Sequence, residues 1–186
     1  MDRGGLFFKM ARHTSHFFSN VGKRTPLKGA AELYHQLHRG KSGKAANPIF
    51  YVSNSPWNLY RYLEFFLTKN NFPKGPILLR SLRAALTNNH DTEKPHKQHE
   101  IRNILKTYPK LKFLLIGDSG EHDADIYKEI SEEYPNRILA IYLRDVGHKK
   151  RMERVRSLFN EFEVTPVLFA KHSDQVRDHA KEIGLL

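Results

Sequence analysis

Two short polar stretches hold the side chains best suited to chemistry. The first, "KFLLIGDSGEHDADIY", runs from Lys112 to Tyr127 and sets Asp118 and Asp123 five residues apart across a glycine-containing turn. Carboxylates placed this way suit a hard divalent cation such as Mg²⁺. That ion takes one or two protein carboxylates and fills its other positions with water and substrate phosphate. The second stretch, Ser53-Asn54-Ser55, offers hydroxyls and an amide where another apolar run ends. Ligands of open α/β sheets gather at the carboxyl ends of the strands, so a hydroxyl at one strand end and an acid at a neighbouring one is the layout of a phosphate and metal site. Plainer readings stand beside these: Asp118 satisfies turn amides, Asp123 caps the following helix, and Ser53 is a turn hydroxyl.

The elements that must position these residues are legible as alternating apolar runs and helical periods. Ile49 to Val52 form a buried strand, and Ser55 is a predicted N-cap with Pro56 at the first helical position. "WNLYRYLEFFLTKN" follows with apolar residues at helical spacing, which predicts that Trp57 and Tyr60 pack the helix on the sheet. A short strand is predicted over Ile77 to Leu79. "HEIRNILKTYP" is a helix with Ile101, Ile104, Leu105 and Tyr108 on one face. Then come the strand "KFLLIGD", the helix "ADIYKEISEEY", the strand "RILAIYLRD", the helix "KKRMERVRSLFNEFE", the strand "TPVLFA" and a last helix capped by Ser173. Another helix, "GAAELYHQLHRG", precedes Pro48. Strands alternating with helices predict an α/β fold with a mostly parallel sheet. Residues 1–25 show no periodicity and are expected to be irregular.

Composition narrows the function. With 186 residues, 39% of them hydrophobic, the chain has the length and core of one ordinary domain. It holds no cysteine, which excludes disulfides and thiolate chemistry. No apolar run reaches the roughly 20 residues that span a bilayer, and the N-terminal stretch does not read as a signal peptide. A cytoplasmic location, with peripheral membrane contact, is the expectation. The net charge of +11 is uneven: residues 1–50 carry nine Lys/Arg against two acids, 51–110 ten against four, and 111–186 twelve against fourteen. A basic N-terminal part suits phosphate esters or anionic lipid surfaces. No nucleic-acid motif is present, so specific nucleic acid binding is not expected.

In order along the chain stand SxSPW, FPKGP, HK, LIGDSGxxD and IYxRDV, within "FYVSNSPWNLYRYLEFFLTKNNFPKGPILLR" and "HKQHEIRNILKTYPKLKFLLIGDSGEHDADIYKEISEEYPNRILAIYLRDV". From Pro26 to Val146 the sequence resembles the catalytic domain of the actin-patch-protein type of phosphatidate phosphatase, in the haloacid-dehalogenase (HAD) superfamily. The resemblance implies a three-layer α/β/α Rossmann-like fold and Mg²⁺-dependent hydrolysis of phosphatidate to diacylglycerol through an aspartyl-phosphate. Carried over by position, Ser53 is the hydroxyl that hydrogen-bonds the phosphoryl oxygens and Lys97 the lysine that offsets transition-state charge. Asp118 is the direct Mg²⁺ ligand, and Asp123 is the second metal-site acid, acting through water or by orienting the turn. Asn54, Ser55 and Ser119 support them, with Asn54 and Ser55 on the substrate side. Arg144-Asp145 is either a structural ion pair or a rim contact. His96 and His99 lack a metal-ligand pattern, and His122 is expected to be exposed.

The family's first motif, DxDxT, supplies the nucleophilic aspartate and the general acid/base. No such motif occurs in this sequence, and Asp2 is the one acid before Glu32. The expectation is therefore a sheet missing its nucleophile strand. "GLFFKM" is a weak substitute because of Gly4-Gly5 and its short length. The expected organisation is an irregular segment over 1–25 and an incomplete HAD-like catalytic domain over 26–186, part of a longer enzyme and inactive as it stands. The alternative is a non-catalytic module that binds anionic lipid or a protein partner.

Overall fold

A computed structural model describes residues 4–8, 26–44, 46–81, 96–119 and 122–186. Six strands form one parallel sheet: β1 (Gly4–Phe8), β2 (Ile49–Pro56), β3 (Ile77–Arg80), β4 (Lys112–Asp118), β5 (Ile138–Arg144) and β6 (Val167–Ala170). Their spatial order is β3-β2-β1-β4-β5-β6. The chain steps one way from β1 to β3, then crosses back to β4 and steps the other way. This places a topological switch point between β1 and β4, where open α/β sheets bind ligands.

The helices are α1 (Ala30–Arg39), α2 (Tyr60–Lys69), α3 (His96–Thr107), α4 (Asp123–Glu133), α5 (Lys149–Leu158) and α6 (Ser173–Glu182). Because connections between parallel strands keep one hand, reversing direction moves the helices to the other face. One core accordingly joins Phe50, Val52, Phe113 and Leu115 to Ile101, Leu105, Ile126, Ile130 and Val155 from α3, α4 and α5. The opposite core joins Ile49, Tyr51 and Leu114 to Leu33, Leu37, Leu67, Val176 and Ala180 from α1, α2 and α6. Alternate residues of β2 and β4 thus serve opposite layers. Both strands read as unbroken apolar runs for that reason. The three-layer parallel α/β fold is the predicted one. No described helix is long and apolar enough to cross a membrane.

One detail differs from expectation. The central slot is filled: β1 pairs with β2 through Leu6↔Ile49 to Phe8↔Tyr51, and with β4 through Gly4↔Lys112 to Phe8↔Ile116. A strand with a ladder on each edge satisfies the backbone groups of both neighbours, which outweighs the roughly 0.5–1 kcal/mol that each interior glycine costs. What the slot lacks is a carboxylate, since its sequence is GGLFF. The remainder of the 1–25 segment, residues 1–3 and 9–25, lies outside the described residues.

Candidate active site

The turn after β2 is built on an irregularity. β2 pairs with β3 in regular register to Ser53↔Leu79, then shifts so that Pro56 meets Arg80. Ser53-Asn54-Ser55 fill the shift. The Ser53 hydroxyl accepts the Ser55 N–H at 3.1 Å and donates to the Ser55 hydroxyl at 3.0 Å, so the two buried serines lock the turn. Asn54 turns the other way. Its Oδ1 accepts the Lys97 N–H at 3.1 Å. The first N–H groups of a helix have no partner within it, so Asn54 holds the start of α3 against the end of β2. Ser55 does not cap α2 as predicted: the extended chain runs on through Pro56, and a 3₁₀ turn (Trp57–Leu59) precedes the helix.

Lys97 is thereby aimed inward. Its side chain is 1% exposed, and its Nζ lies 2.6 Å from Asp123 Oδ1, whose side chain is 2% exposed. Burying two charges costs several kcal/mol each before their attraction is counted. A lysine so placed is therefore held by specific partners rather than by burial alone. Asp123 opens α4, and the expectation that its side chain caps that helix is corrected. The N-cap is His122, with no side-chain cap bond, and the Asp123 carboxylate faces the strand ends instead. Its second oxygen, Oδ2, accepts the Asp118 N–H at 3.2 Å.

That bond needs close approach. A Cβ at Gly117 would lie 2.4 Å from Asp123 Oδ2 and 3.0 Å from the Tyr127 hydroxyl, so only glycine fits between β4 and α4 here. Tyr127 is fully buried, and its hydroxyl donates to the Ile116 carbonyl at 3.0 Å. Burial first, then the charges of Asp123 and Asp118, hold its phenol well above its ordinary pKa, so it stays a neutral donor. Asp118 ends β4 and is 6% exposed.

Of the predicted residues, the structure links Asn54, Lys97, Asp118 and Asp123 in one chain of hydrogen bonds, with Ser53 and Ser55 in the adjoining turn. Ser119 points away from the centre. Its hydroxyl donates to the Arg144 carbonyl at 2.9 Å and accepts the Val146 N–H at 3.3 Å, tying β4 to β5. Arg144 and Asp145 form no ion pair with each other among the described contacts; Asp145 accepts the Gly147 N–H at 2.8 Å. His122 is exposed, as expected. Trp57 corrects the reading that packed it on the sheet, because it is 62% exposed. Sequence reasoning missed Gly117, Tyr127 and Arg80. At the end of β3, Arg80 Nε is buried with no hydrogen-bond partner among the described residues, as is His96 Nε2 at the start of α3. Burial chiefly lowers the pKa of His96.

The described residues include no group of three or more His, Asp or Glu arranged around a cation. They do offer a donor set suited to Mg²⁺, which needs few protein ligands. The two Asp123 oxygens accept from Lys97 Nζ and the Asp118 N–H, and Asp118 and Asp123 are the two carboxylates at this turn.

The family described as "Phosphatidate phosphatase APP1, catalytic domain" matches residues 5–145. The chain belongs to this family. The match begins inside β1, upstream of Pro26, and takes in every residue of the candidate site. A phosphatidate phosphatase of Saccharomyces cerevisiae is 44% identical over 97 residues, 52% of this chain and 16% of that protein. An uncharacterised protein of Schizosaccharomyces pombe is 37% identical over 99 residues, 53% of this chain and 16% of its own length. These matches span about one sixth of the length of either relative. No solved structure matches.

Proposed function

We propose that this chain carries the phosphate-binding and Mg²⁺-binding side of a HAD-type phosphatidate phosphatase site. The buried Lys97–Asp123 pair at 2.6 Å carries this reading, because it joins the β2 turn to the β4 turn beside the switch point. The Lys97 ammonium donates to Asp123, and its positive charge at the strand ends suits a phosphoryl oxygen. Ser53 hydrogen-bonds a second phosphoryl oxygen. Asp118 holds Mg²⁺, and Asp123 keeps Asp118 and Lys97 in place. The bound ion would supply charge neutralisation at the phosphoryl oxygens. Lys97, Asp118 and Asp123 together carry one positive and two negative charges, so a divalent cation turns this trio from anion-repelling to anion-attracting.

Covalent transfer needs an aspartate nucleophile with a second aspartate two residues on, and residues 1–186 hold no DxDxT. Among the described residues the Ser53 hydroxyl donates to the Ser55 hydroxyl and not to a base. The proposal for this chain is thus Mg²⁺-dependent phosphate-ester binding without turnover, in the cytoplasm and at a membrane surface.

Titration calorimetry with inorganic phosphate tests it. Binding is expected in the presence of Mg²⁺ and is expected to be lost without the ion or in Asp118→Asn. Phosphate binding that ignores both Mg²⁺ and Asp118→Asn overturns the site. Phosphatidate hydrolysis at the rate of a longer relative, abolished by Asp118→Asn, would instead overturn the claim that a nucleophile is wanting.

A further inference from the structure

The outer face of α2 is an alternating ridge that nothing in the phosphate site uses. Trp57, Arg61, Phe65 and Lys69 follow one another at four-residue spacing, through the 3₁₀ turn and along the helix. Residues four apart share one face of a helix. Trp57 is 62% exposed and Phe65 57%, and they are the two most exposed large apolar side chains among the described residues. The inner face is occupied separately, by buried Leu63 and Leu67. Lys69 Nζ lies 5.9 Å from the centre of the Phe65 ring, and the Arg61 side chain, 91% exposed, reaches Glu64 at 3.2 Å. Exposed Lys74 follows the helix.

We infer that this ridge docks the protein on an anionic phospholipid bilayer. The inference rests on the proposed phosphate-ester site for its meaning, not for its geometry. Trp57 stacks on Tyr60, and Arg61 separates it along the ridge from Phe65, so the rings do not make a continuous apolar seam for another protein. They suit the headgroup region, where Trp and Phe enter the acyl boundary and Arg and Lys meet lipid phosphates from the same level. Residues 51–110 hold ten Lys/Arg against four acids, which adds attraction to an anionic leaflet. The ridge also starts two residues after Ser55. Docking there brings the Ser53–Ser55 turn to the lipid phosphates, so the ridge selects phosphomonoesters carried in a membrane over soluble ones.

Trp57 is the sole tryptophan, so its emission reports on this face alone. The probe is vesicles of phosphatidylcholine with about 30% phosphatidylserine, set against phosphatidylcholine alone, since the leaflet charge is the variable. The expected result is a blue shift of Trp57 emission and flotation with the anionic vesicles, both falling as salt is raised. Trp57→Ala with Phe65→Ala is expected to weaken flotation on the order of a hundredfold. Arg61→Gln with Lys69→Gln is expected to weaken it roughly twentyfold and flatten the salt dependence. These side chains are exposed, and circular dichroism checks that the variants fold. Unchanged flotation of the double aromatic variant overturns the proposal by placing the contact elsewhere. So does a blue shift that follows protein concentration without vesicles, which marks a second copy, and so does failure to float at all. Mg²⁺-dependent binding of inorganic phosphate, measured on the same samples, separates the two readings. Its loss in the unaltered chain refutes the phosphate site and leaves the docking face standing. Its retention in the aromatic variants, alongside lost flotation, supports the ridge.

Discussion

Helices α3 and α4 are clasped twice by ion pairs, and the clasps differ in kind. Near the helix starts, Lys97 meets Asp123 with both side chains almost wholly out of water, at 1% and 2% exposure. Farther along, Arg102 Nε reaches both carboxylate oxygens of Glu133 at 3.0 and 2.7 Å, and its Nη2 reaches Glu129 at 2.9 Å. There the glutamates are 39% and 50% exposed. The outer clasp is open to water on its glutamate side alone, since the Arg102 side chain is 10% exposed, so it adds more than the 0–1 kcal/mol typical of a fully exposed pair. The inner clasp could be replaced by leucines at little cost to stability, since desolvation cancels much of its attraction. A buried pair kept at the carboxyl ends of the strands is therefore better explained by what it positions than by what it stabilises. Hydrogen bonds to both glutamates raise the pKa of Arg102, yet that cation faces no strand end and serves the packing of two helices.

Breaking the clasps separates these roles. Lys97→Ala leaves Asp123 buried without its ammonium partner, and urea unfolding is expected to show a loss of about 3–5 kcal/mol. Lys97→Met combined with Asp123→Leu should recover most of that stability while abolishing Mg²⁺-dependent phosphate binding. If binding survives the double change, the inner clasp is structural after all. Gly117→Ala forces a methyl against Asp123 Oδ2, and an expected cost of about 1–3 kcal/mol should accompany weaker phosphate affinity. Arg102→Ala is expected to cost about 1–2 kcal/mol, from lost packing and hydrogen bonds, and to leave phosphate binding unchanged. The smallest effect concerns His96, whose pKa the fold holds below its ordinary 6.5. The unfolded chain then binds the proton more readily, so His96 favours folding above that value and loses this contribution as the pH falls below it. A His96→Gln variant should show a shallower loss of stability from about pH 7 to pH 5.

Much of this was legible in the residues. β4 reads as a strand because the apolar run Phe113-Leu114-Leu115 is buried on both faces, and α3 and α4 show their inner stripes at helical spacing. Ser53, Asp118 and Asp123 stand out by falling at strand ends or a helix start, whereas Lys97 is named only through the family resemblance. Three things resisted. Asp123 has the sequence signature of a cap, and only its approach to Lys97, 26 residues upstream, shows which way it turns. β1 is five residues with two glycines, and its place is fixed by what its neighbours lack rather than by its own propensity. Trp57 was assigned to the inner stripe, yet its four-residue spacing with Arg61, Phe65 and Lys69 marks an outer face, because the charged members cannot be buried there.

The filled central slot bears on how the chain folds as it is made. β1 joins the β2–β3 side of the sheet to the β4–β5–β6 side, and its far ladder pairs Gly4 with Lys112. More than a hundred residues must be synthesised between the two partners. Such distant pairing raises contact order and slows folding. On the ribosome, β1 emerges before β2 and β4 and waits for both, while β4, α4 and β5 meet one another over short chain separations. Folding is then gated by a late meeting of the oldest strand with a sheet already half built, and a separate five-residue strand supplied in trans could in principle take the same place.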